Sequence, residues 1–459
     1  MMAILGLVAA VMVAVLTAWF WKLEVTNRRH TIFVTVAVTF LVEIVASGPW
    51  LEVPRGILRL SVAGFSARPT DVVLVAAIAA HVLSGRTNRI SPIGFAWAPF
   101  IVLYTAGVFV GLARDLPAVM VFFQGKAAFY IVGGALVASG ADITRLARAL
   151  PGVGLVLATL VPIGLFLRVT GLRISIDTPL QRFPELGVLS PAAVTVLVGF
   201  GGVVILNEVV RSRPRALVLV AGVVLLLAPL VGRQRASYLS LLGVATVLLL
   251  LAAGSTWRRR SNVTVTEMVL GFSMMLGAVF FGFLVTNQPG VIVRQVEDSF
   301  TGVGNQQSAE TRLRLYDESF AAISEHPVLG AGVGSQVTTT TVATESMLTT
   351  AAHNIVLDLW LRVGLVGLIF FVVAVSVTFA VALKVWRHGT PGAAAVAAGG
   401  IVVLMAFLPK AAVEPALDNY RLSMMIAFAL GCIAAAWRSV DHSAHRSALV
   451  REDADRLLT

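Results

Sequence analysis

The chain has 459 residues, of which 58% are hydrophobic and only 13% charged, with a mean hydropathy of +0.89; this excludes a soluble domain and makes lipid the principal solvent. Its apolar runs are near 20 residues long rather than ten-residue alternating strands, which excludes a membrane β-barrel and leaves an all-α, polytopic transmembrane helical bundle. The formal charge of +11 would suit nucleic acid in a soluble protein, but here the basic residues sit in short connections between apolar runs, so they act as orientation signals and no nucleic acid partner is expected.

In chain order the apolar runs fall near 2–20, 31–47, 71–84, 92–112, 119–139, 149–170, 190–208, 214–231, 236–254, 266–286, 354–383, 395–411 and 420–437. These predict about 12–13 spans, with 71–84 and 395–411 short enough to be tilted or partly re-entrant. Basic clusters recur in every second connection: Lys22/Arg28/Arg29, Arg86/Arg89, Arg145/Arg148, Arg211/Arg213/Arg215, Arg258/Arg259/Arg260, Lys384/Arg387 and the segment from Arg438. Those connections are expected to be cytoplasmic, and 48–70, 171–189, 232–237, 287–352 and 412–419 extracytoplasmic. Run 2–20 has no basic residue before it, so it is expected to be an N-out span rather than a cleaved signal. The chain thus divides into residues 1–286 with ten transmembrane helices, an extracytoplasmic loop at 287–353, C-terminal helices over 354–437 and a cytoplasmic tail at 438–459. Only four of the 35 basic residues are lysine, which suits a GC-rich bacterial gene. The single cysteine, Cys432, excludes an internal disulfide and a cysteine-based metal site.

A loop of about 65 residues is too long for a plain connection and is rich in helix formers. Residues 308–325 predict a helix with Ser308 as N-cap and His326-Pro327 as its stop. Arg312, Tyr316, Phe320 and Ile323 recur at helical spacing and predict one inward stripe. Three glycines follow at 330, 332 and 334, and the loop closes on His353-Asn354.

His353, at the outer mouth of a span, is placed to take a proton from a hydroxyl; the plain alternative is an interfacial histidine without a role. Asn354 could orient its ring or cap the next helix. Arg233 and Arg235 lie where positive-inside statistics disfavour arginine, so an anion is expected to compensate them, and Arg312 on the inward stripe is a second such case. Forked guanidinium donors suit diphosphate oxygens, with salt bridges to Glu297, Asp298 or Glu310 as the alternative for Arg312. Lys126 sits mid-span near Gln124 and Tyr130, where an ionisable group faces the bundle interior or a wet cavity. Lys410, Glu414, Asp418 and Arg421 cluster at the outer end of the last two spans and are expected to pair with each other, with lining the mouth of a cavity as the alternative. The sequence contains no metal-ligand spacing, no phosphate-binding GxxxxGK[ST] loop and no GxSxG elbow, so neither metal nor other cofactor is expected and any substrate must arrive already activated.

The run Arg312-Leu313-Arg314-Leu315-Tyr316, then His326-Pro327-Val328-Leu329-Gly330-Ala331-Gly332, then His353-Asn354 and Gly364-Leu365-Val366-Gly367 resembles the O-antigen ligase and O-antigen polymerase superfamily. Arg235-Ala236-Ser237 is similar to a further family feature, although the family more often has Ser before that arginine and commonly an even number of spans. The resemblance implies a metal-independent, inverting membrane glycosyltransferase at the outer face of the bacterial cytoplasmic membrane. Its donor would be a polyprenyl-diphosphate-linked glycan and its acceptor a glycan, lipid or protein hydroxyl. His353 would be the general base, Arg235 or Arg233 with Arg312 and Lys126 would hold the diphosphate, and Asn354 and Tyr316 would support them. A transporter or lipid-linked glycan flippase is the alternative, although the internal repeats usual in such folds are not evident.

Overall fold

The computed structural model describes residues 2–46, 60–62, 65–85, 91–163, 191–210, 214–230, 235–253, 303–340, 347–350, 352–414 and 416–458. Among them are thirteen α-helices: α1 (Met2–Val25), α2 (Arg29–Ala46), α3 (Pro69–Leu83), α4 (Pro92–Ala113), α5 (Ala118–Ser139), α6 (Ile143–Ala158), α7 (Pro191–Val209), α8 (Ala216–Leu226), α9 (Arg235–Ala253), α10 (Val303–Glu325), α11 (Ile355–His388), α12 (Pro391–Ala411) and α13 (Tyr420–Leu458). Two antiparallel hairpins complete them, β1 (Leu60–Val62) with β2 (Phe65–Ala67) and β3 (Val337–Thr340) with β4 (Met347–Thr350). Seven of the described helices are long and apolar enough to cross a membrane, so the all-α polytopic bundle stands. The expected span at 266–286, the loop at 171–189 and the clusters Arg86/Arg89 and Arg258 to Arg260 lie outside the described residues.

Helix starts follow local chemistry. Ser91, Asp142, Asn354 and Thr390 each accept backbone N–H groups of the first turn, and proline follows Ser91 and Thr390 at the first helical position. α12 spans 21 residues, so the run at 395–411 is not short; Thr390-Pro391 starts the helix earlier than apolarity alone suggests. α7 and α12 are the most enclosed spans, with 89% and 72% of their apolar windows buried. Small residues permit that closeness: a Cβ on Gly243 of α9 would lie 2.2 Å from the Met405 carbonyl oxygen of α12, and one on Gly431 of α13 would lie 2.4 Å from that of Ala135 in α5.

Contacts sort the connections into two ends. At one end Glu24 pairs with Arg29 and His81, the Arg438 guanidinium donates to the Ser139 carbonyl, Asn207 donates to the Ala147 carbonyl, and Lys384 lies over Trp437. At the other end Thr70 meets Glu43, Val333 meets Gly107, and Asp418 meets Arg362. The basic connections read from the sequence at Lys22 to Arg29, Arg145, Lys384 and Arg438 thus gather at one end, and the loop helix α10 packs at the other.

Two sequence expectations about that loop change. α10 begins at Val303 rather than after Ser308, so Ser308 lies inside the helix. Its packed stripe is Leu315, Ser319 and Ile323, all buried, whereas Phe320 is 52% exposed. The cause is the partner surface: Leu315 and Ile323 join Val337, Ala352, Leu357 and Leu361 in a small second core with Tyr316 at its edge, while Phe320 meets Trp360 edge-on. Position 312 remains three and seven residues from Leu315 and Ser319, on the same helical phase.

Candidate functional site

The segment after α10 is built into the membrane bundle by a break in α11. Gly364 sits at φ 69° and ψ −179° inside an otherwise helical run, which divides α11 into a stub, Ile355–Val363, and a longer shaft. Backbone groups released by the break are satisfied by the loop. Ala331 and Gly332 N–H groups donate to the carbonyls of Leu361 (2.6 Å) and Arg362 (3.1 Å), and the Leu365 and Val366 N–H groups donate to those of Pro327 (3.0 Å) and Val328 (3.3 Å). Irregular backbone at a membrane helix is tolerable when protein supplies its hydrogen bonds in this way. Beyond them the Val333 N–H donates to the Gly107 carbonyl of α4 at 2.8 Å, and the Gly334 N–H donates to Gln124 Oε1 of α5 at 2.7 Å. Gly330 has φ +78°, and a Cβ there would lie 2.5 Å from the Gly364 nitrogen. The glycine spacing in 330–334 and at 364 therefore encodes one docking event.

His353 and Asn354 stand at the head of the stub. Asn354 Oδ1 accepts the Val356 and Leu357 N–H groups at 2.8 and 3.4 Å, so the structure gives it the capping role. The Tyr316 hydroxyl of α10 donates to the His353 carbonyl at 3.4 Å. Three of the expected site residues, His353, Asn354 and Tyr316, are thus brought together by α10 and the stub.

The stub is also held from below. Arg362, with no exposed side-chain surface, pairs with Asp358 at 2.7 Å on its own helix and with Asp418 at 2.6 Å across the bundle. A second fork contact reaches Asp418 Oδ2 at 2.8 Å. Arg362 also donates to the Tyr104 hydroxyl at 3.5 Å, and that hydroxyl donates to the Gln124 carbonyl at 3.1 Å. A continuous polar chain therefore runs from the loop at Gly334 through Gln124 and Tyr104 to the stub. Bidentate geometry and two carboxylates compensate the desolvation of this guanidinium.

The remaining candidates lie apart from this group or are described only in part. Arg235 is the first residue of α9 and Arg312 lies in the middle of α10; the structure describes their backbones. Arg233 lies outside the described residues. Lys126 stands 3.6 Å from Asp71 on α3 and lines a cavity with Arg68 and Arg421 rather than joining His353. Lys410 pairs with Glu414 at 3.0 Å, as expected of that cluster, but Asp418 is taken by Arg362 and Arg421 lies beside the Tyr420 ring. Asp358, Arg362 and Tyr104 escaped the sequence reading. Their only local signal was an acidic and a basic residue four apart in an apolar run, IVLDLWLRVG, which is compatible with an exposed pair.

The fold and these contacts define a polytopic helical membrane protein whose polar loop docks into a broken span and holds a histidine and an arginine-bearing helix at one end of the bundle. Residues 216–372 match a family model described as O-antigen ligase, which supports the resemblance to the O-antigen ligase and polymerase superfamily and, in general terms, glycosyltransferase activity of that kind on a lipid-linked glycan and an acceptor. The matched region opens at the first residue of α8 and ends in α11 just past the break at Gly364. No curated protein matches the chain.

Proposed function

We propose that the protein transfers a glycan from a polyprenyl-diphosphate carrier to an acceptor hydroxyl at the outer face of the bacterial cytoplasmic membrane, as a polymerase or ligase, with the α10 end of the bundle facing outward. The observation that carries this is the family match over 216–372, a stretch that includes Arg235, Arg312 and His353. The His353 imidazole takes the proton of the acceptor hydroxyl as its oxygen attacks the anomeric carbon. The bond from that carbon to the diphosphate oxygen breaks, and the diphosphate leaves with the electron pair. One direct displacement inverts the anomeric centre. Arg235, or Arg233, together with Arg312 would neutralise the departing charge. Lys126 would lie along the donor's approach, and Asn354 and Tyr316 hold the backbone on either side of the base. No nucleotide is required, because the donor bond is already activated.

The test is transfer by purified protein between a polyprenyl-diphosphate glycan and candidate acceptors, without nucleotide or divalent metal. His353→Ala should abolish transfer in a protein that remains folded, and full transfer by that variant would remove the base assignment. Arg235→Ala and Arg312→Ala should each cost about 2–4 kcal/mol of transition-state stabilisation, the range for removing one preorganised charge stabiliser. Strict loss of transfer on chelation of metal would overturn the metal-independent route.

A further inference from the structure

A cavity of about 120 Å³ lies between α3, α5 and α13, with Arg68, Lys126, Arg421, Asp418, Phe123 and Tyr420 among its walls. Three of its charged walls are cations and one is a carboxylate, and both oxygens of that Asp418 carboxylate are engaged by Arg362 at 2.6 and 2.8 Å. Two carboxylates behind the wall also hold these cations in place. Asp71 accepts the Tyr130 hydroxyl at 2.5 Å and the Arg68 backbone N–H at 3.0 Å, and pairs with Lys126 at 3.6 Å. Glu43 accepts the Thr70 N–H at 2.5 Å through Oε1, and its charge also acts on Arg68 and Arg421.

Arg68 stacks on the Tyr420 ring with its guanidinium carbon 3.6 Å from the centroid, and Arg421 lies 4.9 Å from the same centroid. Stacking holds a guanidinium by its face and leaves its N–H edge to a ligand. Arg68 Nη1 is buried and has no hydrogen-bond partner. Three cations converging on one cavity form a ready site for an anionic group. A phosphoryl group offers more acceptor oxygens to three converging donors than a single carboxylate does. Phe123 of the cavity wall is 50% exposed, and Val119 and Phe122 on the same helix are 54% and 45% exposed, so α5 offers an apolar surface beside the cavity.

We infer that this cavity binds the phosphoryl group of a membrane lipid, gripped by Arg68, Lys126 and Arg421, with its apolar chain lying along the outer face of α5 beside Phe123. A polyprenyl diphosphate and a bilayer phospholipid share that chemistry, and the first source rests on the transfer reaction proposed above. The test measures binding of a sugar-free polyprenyl diphosphate, of short-chain phosphatidylglycerol and of inorganic pyrophosphate to the purified full-length protein. Arg68→Gln, Lys126→Gln and Arg421→Gln should each weaken lipid binding roughly tenfold or more, the loss of one charge-assisted contact. Weakening confined to the polyprenyl diphosphate identifies the donor carrier, and weakening confined to phosphatidylglycerol identifies a bilayer lipid. Inorganic pyrophosphate should bind more weakly than either lipid, for want of the chain; pyrophosphate binding as tightly as the better lipid overturns the lipid assignment. The unmodified protein supplies a second measurement, in which saturating lipid should protect Arg68 and Arg421 from phenylglyoxal. Unchanged affinity for both lipids in the folded variants, or no protection by either lipid, overturns the inference. His353→Ala should bind lipid as the unmodified protein does while losing transfer; an unmodified protein that binds lipid but never transfers would refute the transferase proposal and leave this site standing.

Discussion

Replacing Gly364 with alanine should undock the loop from the membrane bundle. At φ 69° and ψ −179° the backbone occupies a region that is essentially glycine's own, so any side chain carries a strain of about 1–3 kcal/mol. The added Cβ would also lie 2.0 Å from the Val328 carbonyl oxygen and 2.3 Å from its carbon. Those are backbone atoms that cannot swing aside, so the loop itself must retreat. Retreat breaks the four hydrogen bonds from Ala331, Gly332, Leu365 and Val366 described above, each contributing about 0.5–1.5 kcal/mol net. Together the penalties come to about 3–9 kcal/mol, enough to populate an undocked loop. Limited proteolysis of the purified protein, with cleavage sites mapped by mass spectrometry, should show new cuts between His326 and Ser335, and transfer should fall in parallel. Gly392→Ala is the control, since a Cβ there meets nothing within 4 Å. If Gly364→Ala is cleaved no faster than the unmodified protein and keeps its thermal midpoint, the docking interpretation of the glycine pattern is wrong.

Arg362→Met should destabilise the folded protein by about 3–5 kcal/mol, because it strands Asp358, which is 1% exposed, without a countercharge. Thermal unfolding in detergent reads this, and joint replacement of Arg362, Asp358 and Asp418 by apolar residues should recover much of the loss. Asn354→Ala should cost about 0.5–2 kcal/mol of stub stability and lower kcat more than it raises KM, whereas Asn354→Asp, which still accepts the two N–H groups, should retain most activity. Single cysteines introduced at exposed Glu325 and exposed Arg387 should report opposite sides of the membrane: an impermeant thiol reagent applied to intact cells should label the first alone, and labelling of the second would reverse the proposed orientation.

Much of the architecture was legible because hydrophobic length is a coarse and robust signal. The ends of α4, α5 and α12 fell within a few residues of their apolar runs, and among the described residues the basic clusters at Lys22 to Arg29, Arg145, Lys384 and Arg438 share an end. The loop was harder. Its helix was predicted from helix formers, but the face it buries depends on Val337, Leu357 and Leu361, residues distant in sequence, and so Phe320 was assigned inward when Leu315 and Ser319 are. His353, Asn354 and Tyr316 were found as a motif, and the structure adds the reason they sit together. Lys126 was singled out as a charge facing the interior or a wet cavity, and the structure sets it beside Asp71, Arg68 and Arg421, residues that nothing in one sequence brings to it. The Asp358–Arg362–Asp418 set was invisible for the same reason: its decisive contact joins residues 56 positions apart.

The break at Gly364 has a mechanical consequence. A continuous span transmits changes in bilayer thickness along its length, tilting or sliding to match the hydrocarbon. Here the shaft can respond to the lipid while the stub is moored to the loop, to α4 through the loop, and to Asp418. The position of His353 is thereby referenced to the protein's own scaffold rather than to membrane thickness, as a gauge is fixed to a frame and not to the fluid it measures.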